Sequence, residues 1–425
     1  MSVTATTRTF QDMLNEYLPN ELLREELIRR DYVLMTVDKD DGWKTGTLIV
    51  PFKAAGASSV AFGSLTASDN VAEDNYVRGE VSGAKEIWGT MLFNHRDIME
   101  HDQVSEQNFL KVLPDTIEDF IDYVKNVLSV NLLNGAHFAT LTAAVAANTG
   151  NIVVDRPDRF EIGQKVQYVT SDATVVTSYV KTINVNTYTV NLVTARGGST
   201  VVDFSAGGKD LLTATKVYND GAKDNSFSSL RGALLAASHG GDTTLYGETK
   251  TAYKYLQAIN ISGAAMTAAN ILDQLFLMFV ETRRLGKGNP NECLMSWTNL
   301  GYCMAAIEAS KGAFNVVPGS TKASQYGWME IQIGSVTKGM LKLVGIQEAD
   351  DDVIMFIDWR AVKFYSNGFF QKRKGPNGNE YFEIRATTGY QYLVDVCCFG
   401  ELVVQRPSYC GIVHSIAITK TVTAA

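Results

Sequence analysis

Cysteine is scarce in this chain: five in 425 residues, at 293, 303, 397, 398 and 410, with no CxxC pair among them. An odd count without paired spacing argues against a disulfide framework and against a zinc site, and leaves reduced, buried small hydrophobes. Cys397 and Cys398 are adjacent in a strand pattern and are expected to point to opposite faces; all five read as structural. Long apolar runs are missing too. No stretch reaches membrane-spanning length, and residues 1–10 carry one Arg among Thr-rich polar residues without an apolar core. Neither a membrane span nor a secretory signal is expected, and the chain is expected to be made and kept in a cytoplasm. Positive charge is also in short supply, 38 Lys and Arg against 46 Asp and Glu for a net charge of -8. That balance argues against a dedicated polyanion-binding face, while leaving room for a local basic patch.

Catalytic and ligand-binding signatures are equally thin. His95-Arg96-Asp97 has the form of a kinase catalytic loop, but Asp102 stands where that loop needs Asn, and neither a glycine-rich loop with its strand lysine nor an Asp-Phe-Gly accompanies it. His95 and His101 flank Glu100 without the HExxH spacing that sets two imidazoles on one helical face. Leu285-Gly286-Lys287-Gly288 lacks the spacing and hydroxyl of a phosphate loop and reads as the end of a helix. Asp350-Asp351-Asp352 precedes a strand and reads as a solvated turn, with no spacing that holds two carboxylates in a glycosidase cleft. No catalytic residue, cofactor site or metal site is assigned, and the chain is not read as an enzyme.

What is present is a core-forming composition, 45% hydrophobic, enough for two or more cores in a folded, multi-domain protein. Residues 12–30 form an amphipathic helix with Met13, Leu14, Leu18, Leu22 and Leu23 as its apolar set, interrupted by Pro19. From Trp43 the pattern turns to β. Runs at 47–52 and 87–93, joined by Ala-, Gly- and Ser-rich sequence, predict a projecting hairpin that cannot bury itself and needs a partner chain. Pro114 sits at a plausible first helical position, and Ile117, Phe120, Ile121, Val124, Val127 and Leu128 carry a helix to about Asn134. Residues 150–218 are rich in alternating Val and Thr, with turns at 184–187, Gly197-Gly198 and Gly207-Gly208, and predict a small antiparallel barrel or sandwich inserted in a larger domain. Such an insert packs or decorates, or binds a sugar or a partner. The run 225–233, a glycine-rich link and the run 244–256 follow. Thr267 is expected to cap a helix with Ile271, Leu272, Leu275, Met278 and Phe279 inward, closed by Arg283, Arg284 and Gly286. A strand at 292–296 and a helix carrying Leu300, Cys303, Met304 and Ile307 to near Gly312 complete an α+β unit. The last quarter is β-structure: a buried strand at 352–358, a Trp359-Arg360 turn, strands at 378–387 and 389–399, and a closing run over 400–411.

This order of elements resembles the major capsid proteins of tailed bacteriophages, the HK97-type fold. The resemblance covers most of the chain apart from 150–218. It implies an α+β architecture of N-terminal arm (1–41), extended β-hairpin (42–103), spine helix and start of a peripheral domain (104–149), inserted β-domain (150–218), peripheral return (219–265), axial domain and returning strands (266–400) and closing peripheral strand (401–425). It also implies a shell subunit forming hexamers and pentamers around double-stranded DNA contacted non-specifically. Scaffold, portal and decoration proteins are the further partners, in a virion assembled in a bacterial cytoplasm without membrane contact. Trp43, Phe52, Phe62 and Trp88 are the inter-subunit candidates, each equally able to pack within its own chain. Some members join subunits through a hairpin Lys. Lys44, Lys53 and Lys85 lie in that region, but no partner Asn or activating acid is visible, so cross-linking is not expected. If a mature particle keeps Met1, scaffolding is expected from a separate protein or from the 12–30 helix. An encapsulin-like nanocompartment shell and an enzyme with an appended β-domain are the alternatives.

Overall fold

The computed structural model describes residues 15, 18–43, 46–53, 76–94, 106–145, 149–204, 210–309, 317–318, 328–335, 339–367, 369–375, 378–386 and 389–417. The chain divides into two compact units, passing from one to the other after Thr45, Gly83, Ser129, Lys363 and Glu401.

In the first unit the 16-residue strand Gly389–Val404 organises the sheet, with Lys85–Asn94, Gln371–Lys372 and Phe382–Ala386 all pairing with it antiparallel. Strand Lys85–Asn94 turns its odd residues toward the long helix Glu106–Asn134. A Cβ on Gly89 would stand 2.7 Å from Phe120 Cζ, so a larger residue there would require the Phe120 ring to shift. The helix Asn20–Arg30 begins directly after Pro19 and buries Leu23 and Leu27, while Leu22, expected inside, is 45% exposed. Its last residue, Arg30, reaches Glu118 at 3.2 Å and Asp122 at 2.5 Å on the long helix. That helix starts at Glu106 and runs through Pro114, so the proline is interior and does not open the helix. A proline there gives up one ladder hydrogen bond, a cost that the continuing apolar stripe of Ile117, Ile121, Val124 and Leu128 outweighs.

The second unit holds two larger sheets. Strands His137–Thr140, Asn151–Val153, Lys165–Val169, Val175–Asn184, Thr189–Val193 and Lys216–Asn219 form one antiparallel sheet. It closes on itself: Leu141 bridges Val154, and the amides of Thr142 and Asp155 donate to the carbonyls of Val153 and Thr140 at 3.0 Å. Closure removes the free edges that an open sheet would expose. Ile152, Val154, Val166, Tyr168, Val190, Leu192 and Val217 fill the inside, all fully buried, and Tyr168 shares a 2.7 Å hydrogen bond with Ser178. The β-region thus begins at 137, ahead of the expected 150, because the first strand is needed to close the barrel.

A seven-stranded sheet runs in the order Ile259–Ser262, Gly411–His414, Val353–Ile357, Glu292–Ser296, Gly339–Ile346, Trp328–Ser335, Val317–Pro318. Its central strands are buried along their whole length, as the unbroken apolar run of Val353–Ile357 predicts. Helices Ile271–Glu281 and Trp297–Ala309 cover it through Leu275, Met278, Leu300, Cys303 and Ile307. The first helix starts after Asn270, not at Thr267. The Asn270 amide donates to Thr267 Oγ1, and the Thr267 amide to Asn270 Oδ1. A π-type turn at Thr282–Gly286 ends it, with Lys287 at φ 60°.

Two strand assignments differ from expectation. The run at 47–52 pairs with the strand Tyr76–Ser82, whereas 87–93 pairs with 392–398. Residues 401–404 continue the Gly389–Val404 strand and are not a separate closing strand; that place is taken by Gly411–His414. All five cysteines are free and buried. Burial pushes the thiols of Cys303, Cys398 and Cys410 up to about 12, as expected of inert structural residues.

Candidate functional site

Asp350 is the centre of the most heavily charged place in the second unit. The acidic run expected as a solvated turn is instead clamped: Asp350 is 8% exposed, with Arg159 Nη2 on Oδ1 at 2.8 Å and Arg231 Nη1 on Oδ2 at 2.7 Å. Arg231 also reaches Asp352 at 2.7 Å, and His137 Nε2 lies 3.6 Å from Asp350. Each partner is placed by its own local structure. Pro157 starts the one-turn helix that carries Arg159, and Ser229 Oγ, accepting from the Gly232 amide, starts the helix Leu230–Leu234 that carries Arg231. Arg159 further donates to the carbonyls of Phe138 and Glu348, Arg156 to those of Gln347 and Ala349, and Asn134 Nδ2 to that of Glu348. The 347–352 loop is therefore pinned from the barrel and from the end of the long helix.

Burial alone would raise the Asp350 pKa, but Arg159, the His137 contact and Arg231 together hold it far below the ordinary carboxylate range. Asp155, which accepts from the Thr140 amide at 2.7 Å, goes the other way, pushed up by burial and by Asp350. Lys216 is lowered by burial and by Arg231. A cavity of about 460 Å³ opens here, lined by His137, Asp155, Lys216, Arg231, Asn299 and Asp352 among others. Its charges are largely matched within the wall, which suits a structural clamp. Among the described residues no group of three or more His, Cys, Asp and Glu is placed to hold a metal ion.

The second feature is apolar and uncovered. Helix Ile271–Glu281 buries Ile271, Leu275, Met278 and Phe279, and shows Phe276, Leu277 and Val280 at 49%, 45% and 48% exposure on its opposite side. Leu285, Trp297 and Met304 add to the exposed apolar residues of this region. Of the four interface candidates, Trp43 and Phe52 are buried within the chain. Phe52 packs edge-on to Tyr253 at 5.7 Å. Trp88 is 43% exposed on the sheet of the first unit, edge-on to Phe399 and under the guanidinium of Arg373 at 5.2 Å. Phe62 lies outside the described residues, as do Lys44 and the His95–His101 region. Lys53 lies over the Tyr255 ring at 5.4 Å. The Asp350 clamp carries no local sequence signature, since its arginines come from 191 and 119 positions away. The one available sign was an acidic triplet set against a wholly apolar strand.

Solved structures similar to this chain include viral capsids. The Cyanophage A-1(L) capsid asymmetric unit is 13% identical with a TM-score of 0.48, covering 98% of this chain and 100% of that one. The holo-SrpI encapsulin complex from Synechococcus elongatus PCC 7942 is 9% identical with a TM-score of 0.42 over 100% and 96%. The capsid of the native GTA particle is 8% identical with a TM-score of 0.43 over 92% and 91%. No protein-family model matches the sequence, and no curated protein matches it.

Proposed function

We propose that this chain is the structural subunit of an icosahedral tailed-phage capsid, self-assembling into hexamers and pentamers that enclose double-stranded DNA. The observation that carries the reading is the helix Ile271–Glu281, apolar on both sides, with one side seated on its own sheet and Phe276, Leu277 and Val280 left bare on the other. A surface of that kind costs solubility unless a neighbour covers it. Trp88 and Leu92 repeat the pattern on the outer face of the Lys85–Asn94 strand, at 43% and 48% exposure. Repeated contacts of about 800 Å² per partner would suffice to close a shell. In this reading residues 1–41 form the arm, 42–103 the extended hairpin with Thr47–Lys53 and Tyr76–Ser82 as its base, 104–149 the spine helix and the start of the peripheral domain, 219–265 the peripheral return, 266–400 the axial domain and returning strands, and 401–425 the closing segment. The inserted β-domain of 150–218, closed by the strand His137–Thr140, is an addition to the HK97-type plan. The role is structural rather than catalytic, which agrees with a charge clamp whose ions are matched within its own wall.

Particle size tests this directly, by light scattering and negative-stain electron microscopy of the purified protein. Capsomers, sheets, tubes or closed shells are expected. A monodisperse monomer that stays monomeric at high concentration and with scaffold supplied would sink the reading.

A further inference from the structure

Three of the five histidines lie among the described residues, all in the second unit, and two of them touch. His414 ends the strand Gly411–His414, is 5% exposed, and stacks on His239 with ring centroids 3.9 Å apart and planes at 30°. His239 ends the short turn Ala237–His239, which Gly240 closes at φ 91°. The strand end is otherwise firmly held. His414 is in register with Ser262 on one side and Val353 on the other, and its carbonyl accepts from the Gly263 amide at 2.7 Å. Beyond it Ser415 takes φ 59°, with its hydroxyl 3.0 Å from His414 Nδ1.

We propose that the His239–His414 stack is an acid-responsive latch, holding the 237–241 turn against the end of the closing strand while the rings are neutral and releasing it when both carry protons. Neutral imidazoles at this distance attract by dispersion, but two imidazolium ions repel. The surroundings of His414 carry charge of both signs. Strands Ile259–Ser262 and Val353–Ile357 contain no titratable group, and helix Ile271–Glu281 buries only apolar residues here. Helix Leu230–Leu234 supplies Arg231, which opposes a proton on His414, while Asp352 favours one and is itself paired with Arg231 at 2.7 Å; Asp242, just past the turn, interacts with the charge of Lys250. Burial, then the neighbouring His239, lowers His414 below its ordinary 6.5.

Hydrogen exchange of the full chain, followed by mass spectrometry between pH 5 and 8 and corrected for intrinsic rates, tests the latch. Peptides covering 236–242 and 411–416 are expected to exchange roughly tenfold faster at pH 5 than at pH 7.5, an opening worth about 1.4 kcal/mol. His239→Gln, at an exposed position, should abolish that rise, and His137→Gln should retain it. No acid rise in the unsubstituted chain, an equal rise in His239→Gln, or its loss in His137→Gln would each overturn the proposal.

Discussion

Replacing Arg231 by Met would strip Asp350 of one of its two arginines and take from Asp352 the ion pair it makes with Arg231, leaving the buried Asp350 carboxylate with Arg159 as its remaining arginine. Breaking a buried pair from one side costs about 3 to 5 kcal/mol, and a denaturant midpoint for Arg231→Met should show a loss of that order. The acid limb of stability carries the same signature. Asp350 binds its proton far more weakly folded than unfolded, so its contribution is present above the ordinary value of 3.8 and is lost as pH falls below it. Asp350→Asn should be less stable at neutral pH and should flatten that limb. Lys250 offers the opposite end of the scale. It is 5% exposed, its ammonium donates to the carbonyls of Gly232 and Leu235, and burial brings it from 10.5 down to about 8 in spite of Asp242. Between those values the unfolded chain holds more proton, so this group makes stability rise with pH, by at most about 3 kcal/mol. Comparing urea midpoints at pH 7.5 and 9.5 should show a smaller rise for Lys250→Met than for the unsubstituted chain. None of these partnerships could be read in advance. Arg231 looked like part of a connecting run after the insert and Asp350 like part of a wet turn, because what gives each its role is a residue more than a hundred positions away.

Elements were legible where one face repeats and illegible where a partner strand decides. The apolar stripe from Ile117 to Leu128 located the long helix and its end at Asn134, where Gly135 takes φ 107°, and the solid run Val353–Ile357 located a buried strand. The Val and Thr alternation of 165–193 likewise marked antiparallel strands, but not that His137–Thr140 would be needed to close them. Strand Tyr76–Ser82 went unseen for a local reason: Arg78, Gly79 and Glu80 break its alternation. The structure shows why glycine is there. A Cβ at 79 would stand 2.8 Å from Phe52 Cε1 and 2.9 Å from Tyr246 Cβ, and the neighbouring Glu80 amide donates to the Tyr246 carbonyl. Gly79→Ala should therefore force this strand off its register or off Tyr246, at a cost of about 1 to 3 kcal/mol in thermal unfolding. Faster proteolytic cutting at the 47–53 and 76–82 strands should accompany it. A Gly79→Ala protein that melts and resists protease like the unsubstituted chain would mean that Phe52 yields freely.

At the scale of the molecule, folding and assembly place different demands on the same helix. Ile271, Leu275, Met278 and Phe279 are needed for the core of the second unit, and Phe276 and Leu277 contribute little to it at 49% and 45% exposure. Substitutions at such exposed positions usually move stability by no more than about 0.5 kcal/mol each. Phe276→Ser with Leu277→Ser should accordingly leave the unfolding midpoint close to its original value. In the proposed shell the same pair removes two apolar side chains from a surface that a neighbouring copy covers, and losing such anchors typically costs about 1 to 2 kcal/mol or more per site. Because every subunit carries the lesion and each makes several contacts, the loss multiplies through the assembly. Sedimentation and light scattering should find the double variant as small oligomers or monomers under conditions where the unsubstituted chain forms particles. If the variant still builds particles of the original size, this helix face is not the inter-subunit surface; Trp88 and Leu92 on the first unit's sheet would then be the next pair to replace.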